Sequence, residues 1–241
     1  MKYVIAIDGP AGAGKSTVAK LLAQRLGFLY LDTGALYRTL TLKALEQKVD
    51  LTKEELLVKI VKSTRIELKN TPEGLRIFMD GKEVTEEVRI PEVTNNTFYV
   101  ARSPKVRASL LPLQRNFAIE SDLVTEGRDT TTVVFPDATL KIYLDADLKT
   151  RGVRREKDLI KAKIKQSLEK ITAEVAERDN YDRSRSVAPL RQASDAVYVD
   201  TTNLTITEVV DRLASLFHAI VSADDRAAFP AGASSGVPPS V

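Results

Sequence analysis

A crowd of small residues, Gly9, Pro10, Ala11, Gly12, Ala13 and Gly14, sits between the apolar run "IAID" and the helix-like stretch "KSTVAKLLAQRL". No other feature limits the possible folds of this chain so sharply. The spacing of Gly9, four residues, Gly14, Lys15 and Ser16 is that of a phosphate-binding loop. Such a loop wraps its backbone round an anion so that successive N–H groups point inward, and the helix behind it adds its positive end. Lys15 is expected on the solvent side, reaching the outer phosphates. Thr17 follows in the first helical turn, and the Ser16 hydroxyl is placed to ligate Mg²⁺. The motif is informative because a strand precedes it and a helix follows. A nucleoside triphosphate is the expected ligand.

The rest of the chain repeats the strand and helix alternation. "KYVIAID" (2–8), "FLYLD" (28–32), "DLVTEG" (122–127), "TLKIYLDA" (139–146) and "AVYVDTT" (196–202) read as buried strands, and "TITEVVDRLASLFHAI" (205–220) as an amphipathic closing helix. This pattern predicts an α/β fold, a doubly wound parallel five-stranded sheet with helices on both faces. Between 64 and 90 the texture changes: "RIELKN", "LRIFMDG" and "KEVTEEV" are separated by "NTPEG" and "DG", which predicts a small antiparallel insert. The Ala/Ser/Gly/Pro-rich residues 222–241 have too little apolar spacing to pack and are expected to form a disordered tail.

Absences narrow the chemistry. The 241 residues contain no cysteine, so disulfides, thiolate metal sites and thiol nucleophiles are excluded, and a cytoplasmic location is the default. Neither a signal-peptide apolar region nor a membrane-length apolar run is found. The net charge of +3 is mild, but residues 149–170 hold nine Lys/Arg against three Asp/Glu. No aromatic residue is interleaved there, which argues for a phosphate-rich small ligand rather than nucleic acid. His218, the one histidine, falls in the closing helix and is expected to be a half-buried surface residue, not a general base.

A second substrate needs a second site. Three arginine-bearing clusters supply one: "LDTGALYR" (31–38), "EGRD" (126–129) and "ERDNYDRSRSVAPL" (177–190). The first two directly follow strands, where a doubly wound sheet opens its ligand crevice. Arginine forks suit phosphate, and Asp32, Asp129 and Asp182 alternate with them as acceptors for sugar or base donors.

"IDGPAGAGKST", "YLDTGALYR", "SPKVR", "EGRD", "VVFPDA", "RGVRR" and "ERDNYDRSRSVAPL", in that order over residues 1–220, resemble the bacterial-type cytidylate kinases, P-loop nucleoside monophosphate kinases. The resemblance implies ATP as phosphoryl donor with Mg²⁺, and CMP or dCMP as acceptor. It also implies a single kinase domain over 1–221, with a core (1–63, 101–148, 187–221), an NMP-binding insert (64–100) and a helical lid (149–186). By position, Thr33, Arg38, Arg107, Asp129, Arg178, Asp182 and Arg185 would line the CMP site. Arg107 and Asp182 would face cytosine, Asp129 the sugar, and Arg38, Arg178 and Arg185 the phosphate. Arg154 and Arg155 would be lid arginines closing on ATP. Lys15, Arg128, Arg178 and Arg185, with Asp129, would form the catalytic group. A monomer is expected, without membrane or nucleic-acid partners.

Three departures from the family pattern stand out. Phe98 occupies the position of a base-reading Ser, Thr131 replaces a Gly near the sugar, and the lid connection "EKDLIKAKIKQSLEKI" lacks the usual Gly. Among other classes, a GTPase would carry DxxG and NKxD strings, which do not occur. A shikimate-type kinase would lack the 64–100 insert. A non-catalytic ATP-dependent assembly protein would turn over no acceptor.

Overall fold

The apolar run ahead of the small-residue loop becomes the central strand of the molecule. In the computed structural model, which describes residues 2–71, 74–161 and 163–221, β1 (Val4–Asp8) is buried along its whole length. β6 (Leu123–Gly127) pairs with one side and β7 (Leu140–Asp145) with the other, both parallel. Asp8 lies level with Gly127 and Tyr143, so β1 and β6 end together while β7 runs on two residues to Asp145. With β2 (Leu29–Asp32) and β8 (Val197–Asp200) outside them, the order is β2-β6-β1-β7-β8, all parallel. The five expected strands are all present. The expected tail at 222–241 lies outside the described residues.

Alternation along β1 decides what covers each face. Ile5 and Ile7 join a cluster with Val18, Leu22 and Leu26 of α1 (Lys15–Leu26) and Val210, Leu213 and Phe217 of α8 (Ile206–Ile220). Phe217 is fully buried and edge-on to both Tyr3 and Phe28, at centroid separations of 5.5 and 5.4 Å. Truncating such a side chain costs about 3–5 kcal/mol. Val4 faces the other way, toward Leu31, Leu123 and Phe135, with Leu111 and Phe117 packed behind them. α8 starts cleanly because Thr205 and Glu208 form a reciprocal capping box. His218, in its last turn, is half-buried beside Phe217.

The insert is a three-stranded antiparallel sheet: β3 (Ile66–Thr71), β4 (Gly74–Met79) and β5 (Lys82–Glu83). Only two residues of "KEVTEEV" pair, because Val84 and Val88 turn inward to join Ile77 and Met79 beneath Ala35 and Leu42 of α2 (Thr33–Glu46). A second cluster unites Leu36 and Leu40 of α2, Leu57 and Ile60 of α3 (Glu54–Ser63), Val100 of α4 (Pro91–Ala101), and Val106 and Leu110 of α5 (Pro104–Glu120). The sheet is therefore bolted to a helical layer contributed from both sides of it in the chain.

The segment expected as a lid is a helical hairpin, α6 (Leu148–Lys161) and α7 (Leu168–Ser184). The two helices cross closely: a Cβ on Gly152 would lie 2.4 Å from the Thr172 hydroxyl. Among the described residues, no helix is long and apolar enough to cross a membrane.

Candidate active site

Because β1, β6 and β7 are parallel, the segments leaving their carboxyl ends share one edge of the sheet. The loop 9–14 leaves β1 here. Gly9 is at φ 153°, and a Cβ there would lie 1.9 Å from the Leu144 carbonyl oxygen, so the chain turns hard against β7. No side chain fits at that corner. Gly14, left-handed at φ 91°, delivers the chain into α1.

Lys15 departs from expectation. It is 5% exposed rather than on the solvent side, and its ammonium folds back to donate to the Pro10 carbonyl at 2.7 Å. Desolvation, then the charge of Arg128, lowers its pKa to about 7. Ser16 and Thr17 are exposed at the mouth. The Ser16 hydroxyl donates to the Glu126 carboxylate at 2.7 Å, and burial, then the charge of Asp32, raises the Glu126 pKa. A hydroxyl and a carboxylate beside an anion-binding loop are hard oxygen donors of the kind Mg²⁺ takes when it arrives with nucleotide phosphates. Among the described residues no three acidic, His or Cys groups cluster as a self-sufficient metal cage. Arg154 lies over the same loop: it donates to the Ala13 carbonyl at 3.3 Å and to the Thr201 hydroxyl and carbonyl at 2.9 and 2.7 Å.

Across the crevice the predicted acceptor residues are brought together, and most are paired with one another. Asp32 caps α2 by accepting from the Ala35 N–H at 3.0 Å and takes Arg38 at 2.6 Å. Thr33 is buried, its hydroxyl spent on the Glu126 carbonyl at 2.8 Å. The Arg107 guanidinium bonds Asp129 and lies over the Tyr37 ring. Arg185 reaches Asp129 at 3.4 Å and Asp182 at 3.9 Å. Asp182 also accepts from Arg128 at 2.8 Å. Burial works to raise the Asp182 pKa, but Arg128, Arg178 and Arg185 outweigh it and hold the carboxyl below its usual range.

Arg178 makes none of these pairings. Its side chain is open to the crevice, yet enough protein surrounds it that desolvation, then the charge of Arg128, pulls its pKa down to about 10, with Arg38 and Arg155 adding to the effect. Arg128 thus lies within electrostatic reach of both Lys15 and Arg178. Cations from four elements meet where the two halves of the crevice join, the arrangement a polyanion neutralises.

Two further positions need correction or detail. Thr131 does not face a sugar site: it is 1% exposed and its hydroxyl donates to Asp8 at 2.6 Å, as its backbone N–H does at 2.7 Å. Thr130 bonds the other Asp8 oxygen in the same way. Asp8 has four donors to satisfy at the end of a buried strand, and that demand turns both threonines inward. Phe98 is half-buried, its ring against Tyr99 and edge-on to Tyr181 of α7 at 5.0 Å, one residue from Asp182. The basic excess of 149–170 also divides. Arg151 and Arg154 turn inward, whereas Lys149, Lys157, Lys161, Lys163, Lys165 and Lys170 stand in solvent.

Sequence reasoning assigned no role to Asp8, Glu126, Arg151 or Asp179. Asp8 had a signal, as the one charge in an apolar strand. The others lay inside quoted motifs, overshadowed by their arginine neighbours.

Comparison with known proteins finds relatives over nearly the whole chain. The family model of cytidylate kinase matches residues 5–219. The cytidylate kinase of Geobacillus sp. (strain WCH70) is 48% identical over 209 residues, covering 87% of this chain and 93% of that protein. That of Exiguobacterium sibiricum is 47% identical over 215 residues, covering 89% and 96%. Among solved structures, an uncharacterized protein from Eubacterium ventriosum aligns with a TM-score of 0.51 at 11% identity, covering 91% of this chain and 99% of that one, a likeness of fold alone.

Proposed function

Since the chain belongs to the cytidylate kinase family, we propose that its crevice transfers the terminal phosphoryl of ATP to CMP and dCMP, in pyrimidine nucleotide metabolism. The observation that carries this is the continuous run of cations from Lys15 through Arg128 to Arg178, joining the phosphate loop to the arginine and carboxylate side. Phosphoryl transfer asks a protein mainly to align two nucleotides and to neutralise charge on the moving group. No covalent nucleophile is required.

Gly9 to Gly14 hold the donor phosphates with backbone N–H groups, and Lys15 swings from the Pro10 carbonyl onto them. Ser16, with Glu126 behind it, would hold Mg²⁺, which when bound neutralises the donor's outer phosphate oxygens. Arg38, Arg178 and Arg185 take the acceptor phosphate, Asp129 the sugar, and Arg107 and Asp182 the base. Arg128 stands between donor and acceptor. Arg154 and Arg155 close with α6 and α7 and exclude water, which would otherwise hydrolyse ATP. We place the reaction in the cytoplasm, in a monomer with no membrane or nucleic-acid partner; the lack of cysteine agrees with a reducing compartment.

A coupled assay of ADP release with ATP, Mg²⁺ and a panel of acceptors tests this. CMP and dCMP should support turnover, while shikimate and buffer alone should not. Turnover with shikimate, or ADP release independent of any acceptor, would refute the assignment.

A further inference from the structure

Five arginines of the crevice region meet carboxylates, and one of these pairs belongs to neither substrate side. Arg151, in the first turn of α6, and Asp179, in the middle of α7, are 6% and 3% exposed and bonded to each other. Between them they grip a single backbone residue of the phosphate loop. The Ala11 N–H donates to the Asp179 Oδ1 at 2.9 Å, and the Ala11 carbonyl accepts from the Arg151 Nη1 at 2.9 Å. The Arg151 Nε is in turn anchored on the Ala146 carbonyl at 2.9 Å, just past the end of β7. The loop rests directly on α6: a Cβ on Gly12, which is left-handed at φ 75°, would lie 2.9 Å from the Arg151 carbonyl oxygen.

We propose that Arg151 and Asp179 are positioning residues for the donor nucleotide, making the shape of the phosphate loop and the placement of the lid helices a single variable. A loop of small residues has little side-chain packing to hold it, and its anion-binding power depends on several N–H groups pointing inward together. Ala11 sits at its crown. Charge-assisted bonds to both its N–H and its C=O fix the peptide planes on either side, and both bonds come from the hairpin that must move for water to be excluded. Both side chains are buried and directed at the protein: the Asp179 oxygens meet Ala11 and Arg151, and the Arg151 Nε and Nη1 meet Ala146, Ala11 and Asp179. Their effect on the reaction is therefore indirect and falls on ATP.

Asp179→Asn keeps an oxygen for the Ala11 N–H and removes the charge that holds Arg151. Arg151→Lys keeps the charge and loses the fork that serves the Ala11 and Ala146 carbonyls together. Sub-ångström misplacement at a reacting group is costly, so each variant should raise KM for ATP about tenfold or more while KM for CMP changes less than about twofold. A purely structural pair would lower Tm and leave both KM values in place, and that result would overturn the proposal. Equal increases in both KM values would also overturn it. Hydrogen exchange on the unmodified enzyme gives an answer even if neither variant folds. ATP alone should slow exchange in the peptide spanning Ala11 and in the α7 peptide spanning Asp179 together. Protection of the loop with α7 unchanged would refute the coupling.

Discussion

The two sides of the crevice are built on opposite plans. The side proposed for the donor is mostly backbone: small residues, a helix N-terminus, and a lysine parked on the Pro10 carbonyl. The side proposed for the acceptor is mostly side chain, with Arg38, Arg107, Arg128 and Arg185 already holding Asp32, Asp129 and Asp182. A backbone cradle binds any polyphosphate and discriminates poorly. A mesh of internal ion pairs must be re-partnered by the incoming monophosphate, and only a ligand offering the right donors and acceptors compensates for the bonds it displaces. Generic affinity should therefore reside on the donor side and specificity on the acceptor side.

The most severe test of that contrast is Lys15→Ala. It should reduce kcat by well over tenfold with the fold intact by circular dichroism; a variant keeping more than about a tenth of kcat, a loss under roughly 1.4 kcal/mol, contradicts the assignment. On the opposite side, Arg185→Ala should raise KM for CMP by about tenfold to a hundredfold, the range for losing a charge-assisted contact, with KM for ATP little changed. Equal effects on both substrates would remove Arg185 from the acceptor side.

A pH series sharpens the comparison further. The free-enzyme pKa of Lys15 lies at about 7, and bound phosphates favour the ammonium, so nucleotide binding raises it. ATP affinity should hold below that pH and fall as pH rises above it, by up to about tenfold per unit, with proton uptake on binding. Calorimetry in buffers of different ionisation enthalpy measures this, read against Lys15→Arg, which keeps its charge. If the two proteins show the same slope, Lys15 is not the titrating group.

The smallest effect concerns base choice. Asp182, kept ionised by Arg128, Arg178 and Arg185, would on the proposed placement accept from the cytosine amine and repel a uracil carbonyl. CMP should then beat UMP in kcat/KM, at the lower end of about tenfold to a hundredfold because Phe98 offers no hydrogen bond. Phe98→Ser should increase the CMP:UMP ratio. An unchanged or smaller ratio in the folded variant would move residue 98 away from the base and leave its ring as the Tyr181 contact alone.

What the sequence disclosed and what it hid divide along similar lines. The strands, the phosphate loop, the insert and the closing helix were legible because each depends on local spacing: β-branched runs, the Gly9 to Ser16 interval, "DG" turns, and apolar residues at helical period. The partners of the charged residues were not, because most are chosen by tertiary contacts, several of them over 100 or more positions. Ser16 meets Glu126, Ala11 meets Asp179, and Asp8 meets Thr130 and Thr131. Thr131 shows the cost of reading such a residue by its neighbours in the chain. Beside Arg128 and Asp129 it looks like a wall of the sugar site, yet a carboxylate from the first strand claims its hydroxyl. Lys15 was misplaced for a related reason: its ammonium folds back onto the Pro10 carbonyl and is buried there, which no spacing rule encodes.

The bond set at Asp8 closes the start of the phosphate loop onto the segment carrying Arg128 and Asp129, so parts of the proposed donor and acceptor sides are clamped to each other deep inside the core. Burial raises the Asp8 pKa, and the two threonines oppose that rise. The distance from the root of the phosphate loop to the Arg128 and Asp129 segment is thus a dimension of the folded interior, whereas the crown of the loop at Ala11 answers to α6 and α7. A lesion at residue 8 would loosen that dimension and register in turnover as though chemistry itself had failed.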